Sequence, residues 1–126
     1  MTFISEHKKA IFLIVALGFI VYLFGLLNGF TWDDYPFILQ YSGLHEFDIQ
    51  TLLKPNLYNS GLFYRPITLA YFAILYFLFE QQAFFYHLIQ ISLHIISTVL
   101  LFAFFLRFFP KGLSLFLSLL FLIHPI

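Results

Sequence analysis

Two adjacent carboxylates, Asp33 and Asp34, are the residues of this chain whose type and spacing most directly suggest chemistry. They follow an uncharged apolar run of about twenty residues, which is long enough to cross the roughly 30 Å hydrocarbon core of a bilayer. A carboxylate at a membrane surface can accept a proton from an incoming hydroxyl group, as a general base does for a lipid-carried substrate. The alternative is structural, because an acid also caps a short helix; a cap, however, requires only one of the two acids.

Arg65 lies directly before Pro66, where the chain returns to apolar sequence. Proline is common in the first turn of a helix, so a helix is predicted to begin here. The guanidinium either anchors this helix at the lipid interface or pairs with a phosphate group at headgroup level. Position alone leaves these two interpretations equal.

A polar stripe is predicted on a later helix, at spacings of three, four and three residues: His87, Gln90, His94 and Ser97. We interpret this stripe as hydrogen bonding to neighbouring helices. The alternative is a metal site or a proton relay. A single metal ion is disfavoured, because a spacing of about seven residues separates the two histidines by about 10 Å along a helix axis. A stripe of this length should not face lipid, and it therefore predicts a partner helix.

The amino-acid composition indicates an all-α integral membrane protein. Of the 126 residues, 62% are hydrophobic and only 10% are charged, whereas a soluble domain contains about 25% charged residues. The formal net charge is zero and no basic cluster occurs, so nucleic acid is not expected as a partner. The chain has no cysteine, which excludes disulfides, thiol catalysis and cysteine metal ligands.

Transmembrane helices with interfacial helices in a large first external loop are the predicted architecture. The predicted segments are a cytoplasmic tail (1–9), a first span (10–30), an external loop with interfacial helices (31–82), a second span (83–106), a cytoplasmic turn (107–112) and the start of a third span (113–126). Lys8 and Lys9 precede the first span, so the positive-inside rule assigns the N-terminus to the cytoplasm. Arg107 and Lys111 are assigned to the same side.

The external loop is predicted to hold two short helices. The first has an acid at its cap, Pro36 in its first turn and Gly43 past its end. The second has one apolar side and runs from Leu44 to the helix breaker Lys54-Pro55. Both helices are expected to lie on the membrane surface.

The apolar run over residues 67–79 is about thirteen residues long, which is short for a span and typical of an interfacial helix. If this run crossed the bilayer instead, Arg107 and Lys111 would face the outside. We therefore prefer the interfacial arrangement, because it satisfies both the length of the run and the charges that follow it.

Four motifs in order along the chain, FTWDDYPFI, YRPITLAYF, FYHLIQISLH and FLIHPI, resemble the GT-C glycosyltransferases. These are multi-span membrane enzymes that use polyprenyl-phosphate-linked sugars. The motifs look most like the branch with tetratricopeptide repeats, which includes the transmembrane O-mannosyltransferases and their bacterial relatives. Since the family has many more spans, the resemblance implies an N-terminal fragment with a partial GT-C core, inactive without its missing C-terminal helices.

The resemblance also implies roles for individual residues. Asp33 matches the acid that acts as the base. Asp34 matches the acid that orients the acceptor or, in some branches, a divalent cation. Arg65 matches the basic residue near the donor phosphate, and His124 belongs to an external His-Pro motif that lines the site.

The function that the resemblance implies is sugar transfer on the exoplasmic side, with membrane lipid and a polyprenyl-phosphate sugar donor as partners. The expected location is the inner (cytoplasmic) membrane of a bacterium or the endoplasmic reticulum of a eukaryote. The alternative is a small non-catalytic multi-span subunit that binds partner helices. A transporter fragment is disfavoured, since it would carry its acids in mid-membrane rather than in an external loop.

Overall fold

The computed structural model of the chain describes residues 3–45 and 65–124. Every regular element within these two ranges is helical, which confirms the predicted all-α fold class. The α-helices are α1 (Phe3–Tyr22), α2 (Ser42–His45), α3 (Pro66–Phe79), α4 (Ala83–Phe105) and α5 (Lys111–Ile123). A 3-10 segment (Leu23–Leu27) continues α1, and a π-helical turn (Tyr35–Leu39) precedes α2.

Two helices in the described part of the chain are long and apolar enough to cross a membrane. They are α1 with its 3-10 extension, 25 residues in all, and α4, with 23 residues. Helices α3 and α5 are apolar but have only 14 and 13 residues. The two long helices overlap the two predicted spans, but α1 begins at Phe3 and its 3-10 extension ends at Leu27. Lys8 and Lys9 therefore lie within the helix. The sides of the membrane that the segments face stay predictions.

The chain divides into two compact units, and the first contains residues 3–27 and 87–124. Its helices α1, α4 and α5 pack around a buried apolar cluster: Ala10, Ile14, Ile95, Phe102 and Leu122. Gly18 on α1 makes this packing close, because a Cβ atom there would lie 2.6 Å from Cγ1 of Ile95 and 3.3 Å from Cδ1 of Leu122. A residue without a side chain therefore lets the helix backbones approach each other.

Three buried hydroxyl groups in the first unit donate to backbone carbonyls of their own helix or of the residues directly before it. The Thr98 hydroxyl donates to the carbonyl of His94 at 2.9 Å, and that of Ser118 donates to the carbonyl of Ser114 at 2.8 Å. Ser114 donates in turn to the carbonyl of Pro110 at 3.2 Å. These intrahelical bonds allow small polar residues to be buried without a polar partner on another helix.

The second unit contains residues 28–86, of which 28–45 and 65–86 are described. Helix α2 packs against α3 through a cluster of three buried residues and three half-buried aromatic residues: Leu44, Leu69, Ala73, Tyr41, Phe72 and Tyr76. After α3, the Tyr86 hydroxyl donates to the carbonyl of Glu80 at 2.8 Å. The ring of Phe30 contacts the ring of Tyr86 edge-on, with their centroids 5.1 Å apart. These contacts tie the segment before the acid pair to the turn that follows α3.

Candidate functional site

The acid pair lies in a hydrogen-bonded turn from Thr31 to Asp34. The backbone N–H of Asp34 donates to the carbonyl of Thr31 at 2.9 Å. In the opposite direction, Oδ2 of Asp34 accepts from the backbone N–H of Thr31, also at 2.9 Å. This second bond is one half of a capping box, in which an acid reaches back three residues to an amide. The Asp34 carboxylate therefore closes the turn.

The Asp33 carboxylate is in a different situation. Its residue is exposed, and within residues 3–45 and 65–124 its side chain forms no hydrogen bond or ion pair. Only its backbone carbonyl is engaged, accepting from the N–H of Phe37 at 3.1 Å. Of the two adjacent acids, Asp33 is the one whose carboxylate is exposed and can contact a molecule outside the described part of the chain.

The predicted acid cap needs one correction. Asp34 stands at the cap position of the π-helical turn, with Pro36 near its start, but its carboxylate makes no bond to the amides of that turn. It bonds to Thr31 instead. Gly43 lies inside α2 rather than past the end of a helix, and the second predicted helix falls mostly on residues 46–64, outside the described residues.

Trp32, between Thr31 and Asp33, has an unusual backbone and an unusual exposure. Its φ angle is +41°, in the left-handed region that favours glycine. Its side chain is 91% exposed. A bulky residue with positive φ is strained, and such strain persists only where neighbouring bonds impose it.

Arg65 occupies the position before the first residue of α3, as its sequence context predicts. Pro66 is the first helical residue, and the carbonyl of Arg65 accepts from the N–H of Leu69 at 3.0 Å. The Arg65 residue is exposed, while Leu69 packs against Leu44 of α2. The first turn of helix α3 thus holds the Arg65 backbone.

His45 joins the segment after the acid pair to α3, and the sequence offered no motif that identifies it. Its Nε2–H donates to the carbonyl of Ile38 in the π-helical turn at 2.8 Å. Its ring also stacks on the ring of Tyr76 in α3, with centroids 4.0 Å apart and planes 12° from parallel. Asp33, Asp34 and Arg65 are therefore carried by elements of one unit that contact each other. The Thr31–Asp34 bond, by contrast, has a sequence signal, since Ser or Thr three residues before an acid indicates a capping box.

His124 belongs to the first unit, whereas the other three candidate residues belong to the second. It is exposed and ends α5, where its N–H donates to the carbonyl of Leu120 at 3.0 Å. Pro125, the second member of its motif, lies outside the described residues. That His124 lies close to the acid pair stays a prediction.

The polar stripe of α4 contains a three-helix junction. The carbonyl of Leu122, in the last turn of α5, accepts from the Tyr22 hydroxyl at 2.7 Å and from Nε2–H of His94 at 3.1 Å. Tyr22 and His94 also contact edge-on, with ring centroids 5.6 Å apart. Carbonyl groups in the last turn of a helix lack an intrahelical partner, so side chains from α1 and α4 supply one. The interpretation of His94 as an interhelical hydrogen-bonding residue is confirmed.

The other members of the stripe behave differently. Ser97 donates to the carbonyl of Leu93 in its own helix at 2.8 Å. Nε2 of His87 is buried and has no hydrogen-bond partner among the described residues. No group of three histidine or carboxylate side chains that could hold a metal ion occurs within residues 3–45 and 65–124.

Comparison with known proteins reveals similarity to two curated mammalian relatives. The chain is 31% identical over 128 residues to the human protein O-mannosyl-transferase TMTC3, in an alignment that covers 95% of this chain. It is 30% identical over 126 residues to the mouse protein of the same name, over 94% of this chain. The chain spans only 14% of the length of each relative. No family model and no solved structure matches the chain.

Proposed function

We infer that this chain is the N-terminal part of a membrane glycosyltransferase, which transfers a sugar from a polyprenyl-phosphate donor to an acceptor on the exoplasmic side. Two findings support this function. The chain is 31% identical to a human protein O-mannosyl-transferase in an alignment that covers 95% of this chain, and its four motifs resemble those of the same branch. The observation that carries the proposal is that the exposed Asp33 carboxylate, unlike that of Asp34, has no partner in the described part of the chain.

The position of Asp33 suits this chemistry. A sugar carried on a lipid phosphate has its reacting carbon at the membrane surface, because the polyprenyl chain stays in the hydrocarbon core. A base for this reaction must lie close to the same level, and Asp33 follows the apolar 3-10 end of the first candidate span by only a short segment, 28–32. In this arrangement the N-terminus of α1 is cytoplasmic and the acid turn is exoplasmic.

The proposed reaction has one proton transfer and one displacement. Asp33 accepts the proton of the acceptor group, and the resulting nucleophile attacks the anomeric carbon of the sugar. The bond between that carbon and the phosphate oxygen breaks, and its electron pair leaves with the polyprenyl phosphate. The guanidinium of Arg65 stabilises the negative charge of the leaving phosphate. Asp34 holds the turn that presents Asp33.

The substitution Asp33→Asn tests this function in membranes from cells that express the whole open reading frame containing this chain. It keeps the size of the side chain and removes the proton-accepting carboxylate. Transfer of labelled sugar from its polyprenyl phosphate should fall by about 10²–10⁴-fold, the usual contribution of general acid–base catalysis. Donor binding and protein level should stay as in the wild type. Near-normal transfer by this variant would remove the base assignment.

A second candidate function, a non-catalytic membrane subunit, is favoured by the outer face of α4. Gln90 and Ser97 are both exposed and lie seven positions apart, hence on one face of the helix. Polar side chains on a spanning helix usually meet another helix. A photoactivatable polyprenyl-phosphate sugar distinguishes the two functions. Labelling of the chain by this probe supports the transferase. The subunit is supported if the chain is not labelled and instead co-purifies with a membrane protein that is lost in the Gln90→Leu, Ser97→Ala double variant.

A further inference from the structure

Trp32 combines two features that a chain would ordinarily avoid. A tryptophan side chain is large and mostly apolar, and it is usually well buried, yet that of Trp32 is 91% exposed. Its backbone also has a φ of +41°, which a residue with a Cβ atom adopts only under constraint. Glycine would occupy this turn position without strain. The combination points to a partner for the indole ring that lies outside the described chain.

The constraint on the Trp32 backbone comes from two hydrogen bonds, both of which join Thr31 to Asp34. The N–H of Asp34 donates to the carbonyl of Thr31, and Oδ2 of Asp34 accepts from the N–H of Thr31, both at 2.9 Å. Together they close the turn around residue 32. The Asp34 carboxylate therefore supports the strained backbone from which the indole projects.

Residues before and after Trp32 in the sequence expose apolar side chains, each within its own unit. Tyr35 is 49% exposed, and in the 3-10 segment that ends the first candidate span Phe24 is 79% and Leu27 80% exposed. Exposed apolar side chains on a spanning segment contact acyl chains. Tryptophan prefers the next layer outward, where its ring meets the acyl boundary and its N–H donates to polar groups of the lipid.

We propose that Trp32 docks into the interfacial layer of a phospholipid bilayer, and that the Thr31–Asp34 turn is built to hold it there. The ligand is the region of the lipid ester carbonyl groups, which accept a hydrogen bond from the indole N–H. Because Asp33 is the next residue, the depth of Trp32 sets the depth of the Asp33 carboxylate. This anchoring role is independent of whether Asp33 acts as a base.

Trp32 is the one tryptophan of these 126 residues, so its intrinsic fluorescence can be read alone once any tryptophan encoded elsewhere in the open reading frame is replaced by phenylalanine. That protein is reconstituted in phosphatidylcholine vesicles that contain lipids brominated either near the headgroup or near the end of the acyl chain. The expected result is a blue-shifted emission, strong quenching by the shallow bromines, weaker quenching by the deep bromines and protection from aqueous iodide. Quenching by iodide without quenching by either lipid, or strongest quenching by the deep bromines, would overturn the proposal.

Two variants test the role of the turn. They are matched because each removes one negative charge and the two residues are adjacent. Asp34→Ala removes the acceptor of the Thr31 N–H and should shift the emission to the red and weaken the quenching by shallow bromines. Asp33→Ala removes a carboxylate that has no partner among the described residues and should leave the depth profile as in the wild type. Equal effects of the two variants, or no effect of Asp34→Ala, would refute the holding role of the turn.

Discussion

Asp33 and Asp34 are neighbours with identical side chains, yet their surroundings assign them different tasks. Asp34 accepts the backbone N–H of Thr31, and Asp33 is exposed without a partner in the described part of the chain. The Asp34 carboxylate is thus occupied in holding the turn, whereas the exposed Asp33 carboxylate can contact a bound molecule. The Asp34 carboxylate therefore closes the turn, and the proposed chemistry is assigned to Asp33.

Amide hydrogen exchange at Thr31 measures the task of Asp34. Replacing it with alanine leaves the Thr31 N–H without its acceptor, a loss of about 1 kcal/mol for comparable capping bonds. Exchange of the Thr31 amide should therefore accelerate roughly five- to tenfold, since about 1.4 kcal/mol corresponds to tenfold. Asp34→Asn should stay close to the wild-type rate, because its amide oxygen can still accept. Wild-type exchange in the alanine variant would mean that the bond is absent in solution.

At the scale of the elements, α1, α4 and α5 are held together by close packing and by one shared carbonyl. Gly18 removes the side chain where α1 meets Ile95 of α4. The carbonyl of Leu122 on α5 takes donors from Tyr22 of α1 and His94 of α4. Without a hydrophobic driving force between helices in lipid, such packing and hydrogen bonds are what make helices associate.

The substitution Gly18→Ala should destabilise this helix packing. A Cβ atom at residue 18 would approach Cγ1 of Ile95 to 2.6 Å, so Ile95 or the helix must shift. Overpacking of this kind costs about 1–3 kcal/mol, which should appear as a lower midpoint of thermal unfolding in detergent. Gly25→Ala is the matched control, because no atom lies within 4 Å of its added Cβ. If the two alanine variants have the same midpoint of thermal unfolding, α1 and α4 do not approach each other closely at residue 18.

At the scale of the whole molecule, the orientation of the chain depends on whether α3 crosses the bilayer. Its 14 residues extend over about 21 Å at a rise of 1.5 Å per residue, which is less than the roughly 30 Å of the hydrocarbon core. If α3 stays at the outer interface, a spanning α4 begins outside and ends in the cytoplasm; if α3 crosses, the orientation of α4 is reversed. In the first case Gln82 faces the outside and Phe109 the cytoplasm.

Single cysteines distinguish these arrangements cleanly, because the chain contains no native cysteine. Gln82 and Phe109 are both exposed and suitable for labelling. We expect Gln82→Cys to react with a membrane-impermeant maleimide in intact cells, and Phe109→Cys to react only after permeabilisation. Labelling of Phe109→Cys in intact cells would mean that α3 crosses and that the preferred topology is wrong.

The sequence by itself determined the helical class, the two long apolar helices and the start of α3. These features follow from local properties: the length of an apolar run, the absence of charge within it, and a proline whose fixed φ suits a first helical turn. The acid pair was also predictable as a candidate site from its position after the first span. The bond between Thr31 and Asp34 could have been predicted from their spacing as well.

The tertiary structure decided the contacts that join residues far apart in sequence. Tyr22 and Leu122 are 100 positions apart, and no local sequence pattern predicts the hydrogen bond between them. The packing of the helices likewise decides that His45 stacks on Tyr76. It also decides that a side chain at residue 18 would clash with Ile95. A periodic pattern identifies which face of a helix is buried. Which residues pack against that face is decided only when the helices assemble.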